Sequence, residues 1–477
     1  MKFIPTSSAE APATPTAHFH AGYVLIITVV AAFGGLLFGY DWVVIGGAKP
    51  FYERYFELHS ANLVGWANSS ALLGCLVGSL VSGALSDRIG RKKMLVAGAL
   101  LFAGSSILTG WSRSFELFVI WRIAGGIAIG VASNLSPTYV SEVSPPPWRG
   151  RLVAIYQLGI GTGVLLAQIV NWMIADYVPE GATDEAIQLS WNGQIGWRWM
   201  FSAVAIPALI FFLGAIFIPE SPRWLALNGN VDGARRTLLK IGGVQYAKEA
   251  LESIRDTAES DTVALHWRNW RRSGVVRIIW IGVILAALQQ FCGINVIFNY
   301  AEEIYSGAGY GVSKVLLDIV ATGAIGLSAT VVSFTLVDRF GRRPLMLFGC
   351  LSLATLHALI GLSYHLGFKG PAPLLLTLCA IGCYGLTLAP VTWILIAEIF
   401  PNQIRGTAVA ISVSSLWIAC FLLTYTFPVV SGAVGLTGTF WLYASICLVG
   451  FVFVFRSVPE TKGKSLEEIE HELTIRI

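Results

Sequence analysis

Twelve apolar runs constrain the fold of this chain more than any other feature. They begin near residues 22, 64, 94, 115, 150, 197, 277, 314, 345, 371, 405 and 434. Each run is long enough to cross a bilayer core of about 30 Å as a helix. Because 55% of the 477 residues are hydrophobic and only 13% are charged, the chain carries too much apolar surface for a soluble protein of this length. We predict an all-α integral membrane protein with about twelve transmembrane helices.

Short motifs recur about half a chain length apart. GALSDRIGRKKM at 83–94 returns as LVDRFGRRPLM at 336–346, and SEVSPPPWRG at 141–150 returns more loosely as AEIFPNQIRG at 397–406. PESPRWL at 219–225 is echoed by PETKG at 459–463. This duplication predicts two six-helix halves related by pseudo-symmetry, which can rock about a site held between them.

Shifts in composition divide the chain into five parts. They are a disordered cytoplasmic arm (1–21), an N-terminal six-helix bundle (22–219), a cytoplasmic helical linker (220–276), a C-terminal six-helix bundle (277–456) and a cytoplasmic tail (457–477). The arm is rich in Pro, Ala, Ser and Thr and does not resemble a cleaved signal peptide. In the linker, Leu238, Leu239, Leu251 and Ile254 recur at helical spacing. This spacing favours amphipathic helices that brace the inner face over a plain tether.

The positive charges predict the orientation of the chain. Lys and Arg concentrate in the even-numbered connections, which places those loops and both termini in the cytoplasm of a multi-pass cell-membrane protein. The net charge of +4 reflects this topology, and no basic aromatic surface suggests a nucleic-acid partner. Cys379 and Cys383 are four residues apart without His or carboxylate neighbours, so we predict no metal site.

Asp41 is the most informative polar residue of the first half. It lies within GGLLFGYDWVVIGG, where a bare charge costs about 2.5–3.5 kcal/mol on insertion scales. Arg122 lies well inside the fourth apolar run, and helices one and four of a six-helix half can meet. We predict that the two residues pair and that Asp41 titrates as a proton-coupling carboxylate. A permanent structural salt bridge is the alternative.

Uncharged polar residues form a second set within the apolar runs. Gln157 lies in the fifth run, and the seventh contains Gln289, Gln290, Asn295 and Asn299. Amides both donate and accept hydrogen bonds without charge, which suits sugar hydroxyls. Interhelical contacts are the alternative for any single amide, at about 0.6 kcal/mol each. Gly293 would weaken the helix in the middle of the seventh run and let its outer part bend over a ligand.

Two tryptophans lie within apolar runs, away from the interfacial belts where tryptophan usually anchors a membrane protein. They are Trp393 and Trp417. A flat indole can stack on the apolar face of a pyranose and donate a hydrogen bond to a hydroxyl. We predict that both contact substrate, with plain packing as the alternative.

The duplicated charged motifs predict cytoplasmic gates. Gly83 and Gly90 allow a tight turn, and the neighbouring charges can pair with Glu142 and Glu398 at the inner helix ends. Such a network biases the protein toward the outward-open state if it holds only while the inner side is shut. The predicted gate residues are Asp87, Arg88, Arg91, Glu142, Arg149, Asp338, Arg339, Arg342, Glu398 and Arg405.

Taken together, these motifs resemble those of the sugar porter family of the major facilitator superfamily, from about residue 22 to 463. The matching segments, in the family's order, are GALSDRIGRKK, PTYVSEVSPPPWRG, QLGIGTGVLLAQ, GWRWMF, PESPRWL, QQFCGIN, VDRFGRRP, EIFPNQIRG and PETKG. The resemblance implies that Gln157, Gln289, Gln290, Asn295 and Trp393 bind sugar. It also implies that Phe38 and Trp417 line the cavity and that Asp41 and Arg122 form the coupling pair of a proton symporter.

Several positions depart from the pattern of that family. They are Trp42, Val204, Asn299, Gly326, Ala389, Leu416 and Cys420. The second-half wall therefore has fewer polar groups, and a polyol stays open as the substrate. We expect a transporter rather than an enzyme, working as a monomer with sugar, protons and lipid as its partners and no cofactor. The leading hypothesis is import of a hexose or pentose by proton symport, and a passive facilitator is the alternative.

Overall fold

In a computed structural model, helices make up almost all of the chain that the structure describes, which is residues 19–260, 275–400 and 404–464. The first half contains α1 to α8 and a π-helical turn, Asn192–Gly196, that joins α6 to α7. The helices of this half are α1 (Ala21–Tyr55), α2 (Ala61–Ile89), α3 (Arg91–Gly110), α4 (Phe115–Val143), α5 (Arg149–Ile174), α6 (Asp184–Leu189), α7 (Trp197–Ala203) and α8 (Ala205–Phe217).

Two linker helices and the second half follow. The linker helices are α9 (Pro222–Leu227) and α10 (Val231–Ser260). The helices of the second half are α11 (Val275–Phe291), α12 (Ile294–Asn299), α13 (Ala301–Gly307), α14 (Val312–Phe340), α15 (Arg342–His365), α16 (Pro371–Leu386), α17 (Leu388–Glu398) and α18 (Arg405–Ser457).

Twelve crossings result from eleven long apolar segments of the described chain. The last segment, Gly406–Ser457, has 52 residues. At about 1.5 Å per residue, a straight helix of that length would be more than twice as long as the bilayer core is thick. Gly435 has φ 67° within α18, a left-handed conformation that glycine adopts readily. The chain turns at this residue and crosses again, so the prediction of about twelve membrane helices in two halves is confirmed.

Alternation of the spans defines two ends of the bundle. The terminal face is the end where α1 begins and α18 ends, and the opposite face is the end where α1 and α15 finish. At the opposite face, close backbone contacts join the two halves. A Cβ atom on Gly46 of α1 would lie 2.3 Å from the Phe298 carbonyl oxygen of α12, and one on Gly65 of α2 would lie 2.3 Å from that of Tyr425 in α18. Glycine is needed at both positions, because any side chain would push the halves apart.

The predicted linker contains two helices. Leu238 of α10 is buried and Leu239 packs against the core, as expected for an amphipathic helix. The His20 backbone N–H, just before α1, donates to the Ile241 carbonyl oxygen at 2.9 Å. The linker is therefore attached to the terminal face. The predicted arm up to residue 18, residues 261–274 and the predicted tail from residue 465 onward lie outside the described residues.

Candidate functional site

An ion pair lies in the middle of the first half. Arg122 of α4 donates through Nη1 to Asp41 Oδ1 of α1 at 2.7 Å. Asp41 is 5% exposed and Arg122 is 4% exposed. The guanidinium also lies 5.5 Å from the ring centroid of Phe201. Two isolated charges would be costly in this environment, so each residue provides the compensation that the other needs.

A small cavity adjoins this pair. Asp41, Arg122, Asn68 and Asn299 contribute polar side chains to its lining, and Cys75 lies on the same wall. The cavity holds about 20 Å³, which is room for about one water molecule. The side-chain oxygens of Asn68 and Asn299 have no hydrogen-bond donor in the described structure. A water molecule in the cavity could bond these oxygens and reach the Asp41 carboxylate.

Three aromatic side chains pack against one another beside the ion pair. Ring centroids lie 5.4 Å apart for Phe38 and Trp42, 5.7 Å for Phe38 and Trp417, and 6.1 Å for Trp42 and Trp417. These are ordinary distances for interacting aromatic rings. Phe38 and Trp42 line both the small cavity and the larger one beyond it. A ligand in the larger cavity would therefore contact aromatic rings that also touch the surroundings of Asp41.

The larger, central cavity lies between the two halves. On the measure used for the small cavity it holds about 150 Å³, and the whole empty space, including the part open to solvent, is about 900 Å³. Six of the residues predicted for the substrate site line it: Phe38, Gln157, Gln289, Gln290, Asn295 and Trp393. Apolar groups dominate the rest of the wall, including Leu327 and Leu416. This combination of a few amides with broad apolar and aromatic surfaces suits a neutral ligand with hydroxyl groups.

The amides at the end of α11 form a connected chain. Gln289 Nε2 donates to the Ala389 carbonyl oxygen at 3.1 Å, and Gln290 Nε2 donates to Gln289 Oε1 at 3.3 Å. Asn295 Nδ2 donates to Gln290 Oε1. Gly293, with φ 87°, separates α11 from α12, and this break brings Asn295 back against Gln290. The chain fixes the orientation of the amides before any ligand arrives.

Two of the predicted substrate residues occupy other places. Asn299 lines the small cavity beside Asp41, one helical turn beyond Asn295. Trp417 is 2% exposed and packs behind Phe38 and Trp42, with an indole N–H that has no acceptor in the described structure. Sequence reasoning placed both with the other substrate residues because spacing alone does not show which wall a side chain faces.

The charged motifs at the terminal face form pairs within each half. Arg91 lies 3.3 Å from Glu142 and 2.7 Å from Asp87. In the second half, Arg342 lies 3.0 Å from Glu398 and 3.9 Å from Asp338. These pairs join helices of one half and do not bridge the two halves.

Other predicted gate residues interact mainly with nearby backbone or rings. Arg149 Nε donates to the Ser141 carbonyl oxygen at 3.1 Å. The Arg339 guanidinium lies 5.6 Å from the Phe340 ring centroid. Arg88 ends α2. Arg405 begins α18, and its side chain lies outside the described part of the chain.

Two glutamates in the repeated PE motifs have a role that sequence reasoning missed. Glu220 accepts the Lys92 backbone N–H at 3.0 Å, and Glu460 accepts the Arg342 backbone N–H at 3.0 Å. Each carboxylate therefore caps the first turn of a helix, α3 or α15, where it also interacts favourably with the helix dipole. The preceding glycines, Gly90 and Gly341, have φ 109° and 89°. The sequence signal for these two caps was the recurrence of the Pro-Glu pair at 219–220 and 459–460.

A second ion cluster, at the opposite face, was also missed. Lys49 of α1 contacts Glu303 of α13 and lies 2.9 Å from Glu53 and 3.9 Å from Glu302. Arg54 lies 3.0 Å from Glu302 and 2.8 Å from Asp184 of α6. The cluster therefore joins α1 to α13 across the interface between the halves. The sequence signal for this cluster was the presence of two charged segments at span ends on the same side of the membrane, KPFYER at 49–54 and AEE at 301–303.

Comparisons with known proteins support one family. The profile of the sugar (and other) transporter family matches residues 27–473. The arabinose-proton symporter of Bacillus subtilis is 36% identical over 472 residues, covering 98% of this chain and 99% of that protein. The D-xylose-proton symporter of Escherichia coli is 35% identical over 489 residues, covering 95% of this chain and 96% of that protein.

A solved structure gives the same result for the fold. The xylose transporter of Escherichia coli, in a partially occluded inward-open conformation, matches with a TM-score of 0.81 and 34% identity. The match covers 93% of this chain and 100% of that one.

Proposed function

This chain belongs to the sugar transporter family, and we propose that it imports a monosaccharide, a hexose or a pentose, together with a proton by alternating access. The central cavity supplies the sugar site. Gln157, Gln289, Gln290 and Asn295 bond the hydroxyl groups, and Trp393 offers an apolar ring face. The protein works as a monomer with the proton as coupling ion and no further cofactor.

The buried ion pair between Asp41 and Arg122 is the main observation that supports this proposal. Asp41 bonds Arg122 at 2.7 Å in a buried site, so adding a proton to Asp41 removes the charge that holds the guanidinium. Arg122 then loses its partner, and the contact between α1 and α4 weakens. A sugar in the central cavity contacts Phe38 and Trp42, whose rings also line the small cavity beside Asp41. Proton and sugar therefore act on the same helix packing, which is the requirement for coupled transport.

The orientation follows from the charges. We assign the terminal face to the cytoplasm because Lys and Arg concentrate in its loops. Both termini then lie inside the cell. In this arrangement, the contacts at Gly46 and Gly65 close the opposite face, which corresponds to an inward-facing conformation.

The coupling supplies useful energy. One proton crossing a potential of 100 mV supplies about 2.3 kcal/mol. At about 1.4 kcal/mol per tenfold change, that energy supports roughly fifty-fold accumulation of a neutral sugar.

An Asp41→Asn variant tests the proposal in proteoliposomes. We expect proton-driven uptake against a sugar gradient to be abolished and counterflow exchange to be retained, because exchange needs no net proton transfer. Asp318→Asn is the matched control, since Asp318 is also largely buried but is paired with Lys314 near the opposite face. Uphill uptake that survives in Asp41→Asn would refute the coupling assignment. Sugar flux in the wild type without any proton dependence would identify a passive facilitator.

A further inference from the structure

The cluster around Lys49 contains more negative than positive groups. Two cations, Lys49 and Arg54, face four carboxylates, so the cluster carries a formal charge of −2 when every group is ionised. The carboxylates belong to Glu53 of α1, Asp184 of α6 and Glu302 and Glu303 of α13. Lys49 is only 1% exposed, so water does little to screen the repulsion around it. Binding of a proton would relieve part of this excess.

The contacts of this cluster between α1 and α13 depend on closure of the opposite face. Lys49 and Glu53 lie on α1 of the first half, whereas Glu302 and Glu303 lie on α13 of the second. The Glu303 side chain is 35% exposed in the closed arrangement. Opening of this face separates α1 from α13, which exposes Glu303 further and removes it from Lys49 and Glu53. Closure therefore brings the Glu303 carboxylate toward Glu53, beside the Lys49 ammonium that both contact.

One oxygen of the cluster also indicates a place for a proton. Glu303 Oε2 is buried and has no hydrogen-bond donor in the described structure. An ionised oxygen without a donor is costly to bury, and a proton on this carboxyl would remove its charge.

We propose that closure of the opposite face assembles a second proton-binding site, in which Glu53 and Glu303 share one proton beside Lys49. The site is distinct from Asp41, and it would be reached from outside the cell. Its location outside the cell rests on the orientation proposed above, whereas the site itself depends only on the contact between α1 and α13.

The sign of the pH effect follows from linkage. Burial, only partly offset by Lys49, raises the pKa of Glu303 from its ordinary value of 4.5 to about 7 in this closed arrangement. In the open arrangement Glu303 faces water and returns toward its ordinary pKa. The closed state therefore binds the proton more tightly, so acid stabilises closure in the window between pH 4.5 and about 7. The closed-to-open ratio should change by up to about tenfold per pH unit in that window.

Distance measurements between spin labels in nanodiscs test this site. Labels at positions 59 and 368, both exposed near the opposite face, report its opening after the exposed Cys379 is replaced by Ser. An open cavity at this face, the vestibule, is lined by Lys49, Glu53 and Glu303, and substitution at position 59 also removes His59 from its wall. We expect the short-distance population of the otherwise wild-type protein to rise as pH falls from 8 to 5.

Glu303→Gln removes one negative charge and mimics the protonated carboxyl. We expect closure to be favoured at every pH and the pH response to flatten. Glu53→Gln should act in the same direction, and it serves as the second variant if Glu303→Gln is not recovered folded. Glu185→Gln is the matched control, because Glu185 lines the vestibule but is exposed, and it should respond as the wild type does.

Three results would overturn the proposal: opening in acid, no response to pH, or an unchanged response in Glu303→Gln and Glu53→Gln. The Asp41→Asn background separates this proposal from the coupling assignment. The second site predicts that the pH response of the label distance persists there. A response that disappears with Asp41 would instead belong to the ion pair with Arg122.

Discussion

Gly46→Ala should open the opposite face. The new Cβ would lie 2.3 Å from the Phe298 carbonyl oxygen and 3.3 Å from the Asn299 Cα. A carbon–oxygen contact normally needs about 3.3 Å, so α1 and α12 would have to separate by about 1 Å. The atoms that clash belong to backbone, so rotation of a side chain cannot relieve the overlap.

The size of the effect follows from the cost of overpacking. Overpacked contacts cost about 1–3 kcal/mol, and here the cost falls only on the state in which α1 and α12 touch. The equilibrium should therefore shift by about 5-fold to 150-fold toward the state that is open at the opposite face. Label distances at positions 59 and 368 measure this shift directly.

A matched control separates the clash from the effect of alanine itself. Gly104 lies within α3, and a Cβ there would meet no atom within 4 Å. Gly104→Ala should leave the distances unchanged and slightly favour the helix. If Gly46→Ala gives the same distance distribution as Gly104→Ala, the contact between α1 and α12 does not close this face.

Two further predictions concern the sugar site and the helix caps. Asn295→Ala leaves Gln290 Oε1 without the donor it has in this structure and removes an amide from the cavity wall, so the half-saturating sugar concentration in counterflow should rise about tenfold. Unchanged affinity would place the sugar elsewhere. Glu220→Gln weakens the charged cap on α3 and should lower the unfolding free energy by about 1 kcal/mol. Thermal unfolding in detergent measures the loss. In a double variant, Glu460→Gln should lower the unfolding free energy by a similar further amount, because the two caps lie in different halves.

The sequence predicted those features that depend on local pattern. Apolar length gave the spans, and repetition gave the two halves. A carboxylate within an apolar run needs a nearby cation, which is why Asp41 and Arg122 could be matched before their distance was known. The amides of α11 were identified by composition alone.

Features that depend on helix rotation and packing were less accessible. Asn299 follows Asn295 by four residues, but the break at Gly293 and the short length of α12 direct it toward Asp41. The cluster around Lys49 joins residues about 250 positions apart, and no local pattern specifies that pairing. The motif charges were expected to pair with Glu142 and Glu398, and Arg91 and Arg342 lie beside these carboxylates within their own halves. Whether these pairs hold only while the inner side is shut stays a prediction. Which contacts exist depends on the conformation, and the sequence encodes more than one.

Proton movement on sugar addition tests the central claim most directly. Proteoliposomes without a membrane potential or pH gradient are given sugar outside, and the external pH is recorded together with labelled-sugar entry. Coupling through Asp41 predicts that the external medium becomes alkaline as sugar enters, and that Asp41→Asn gives no pH change. Sugar entry into wild-type vesicles with no alkalinisation would contradict the account.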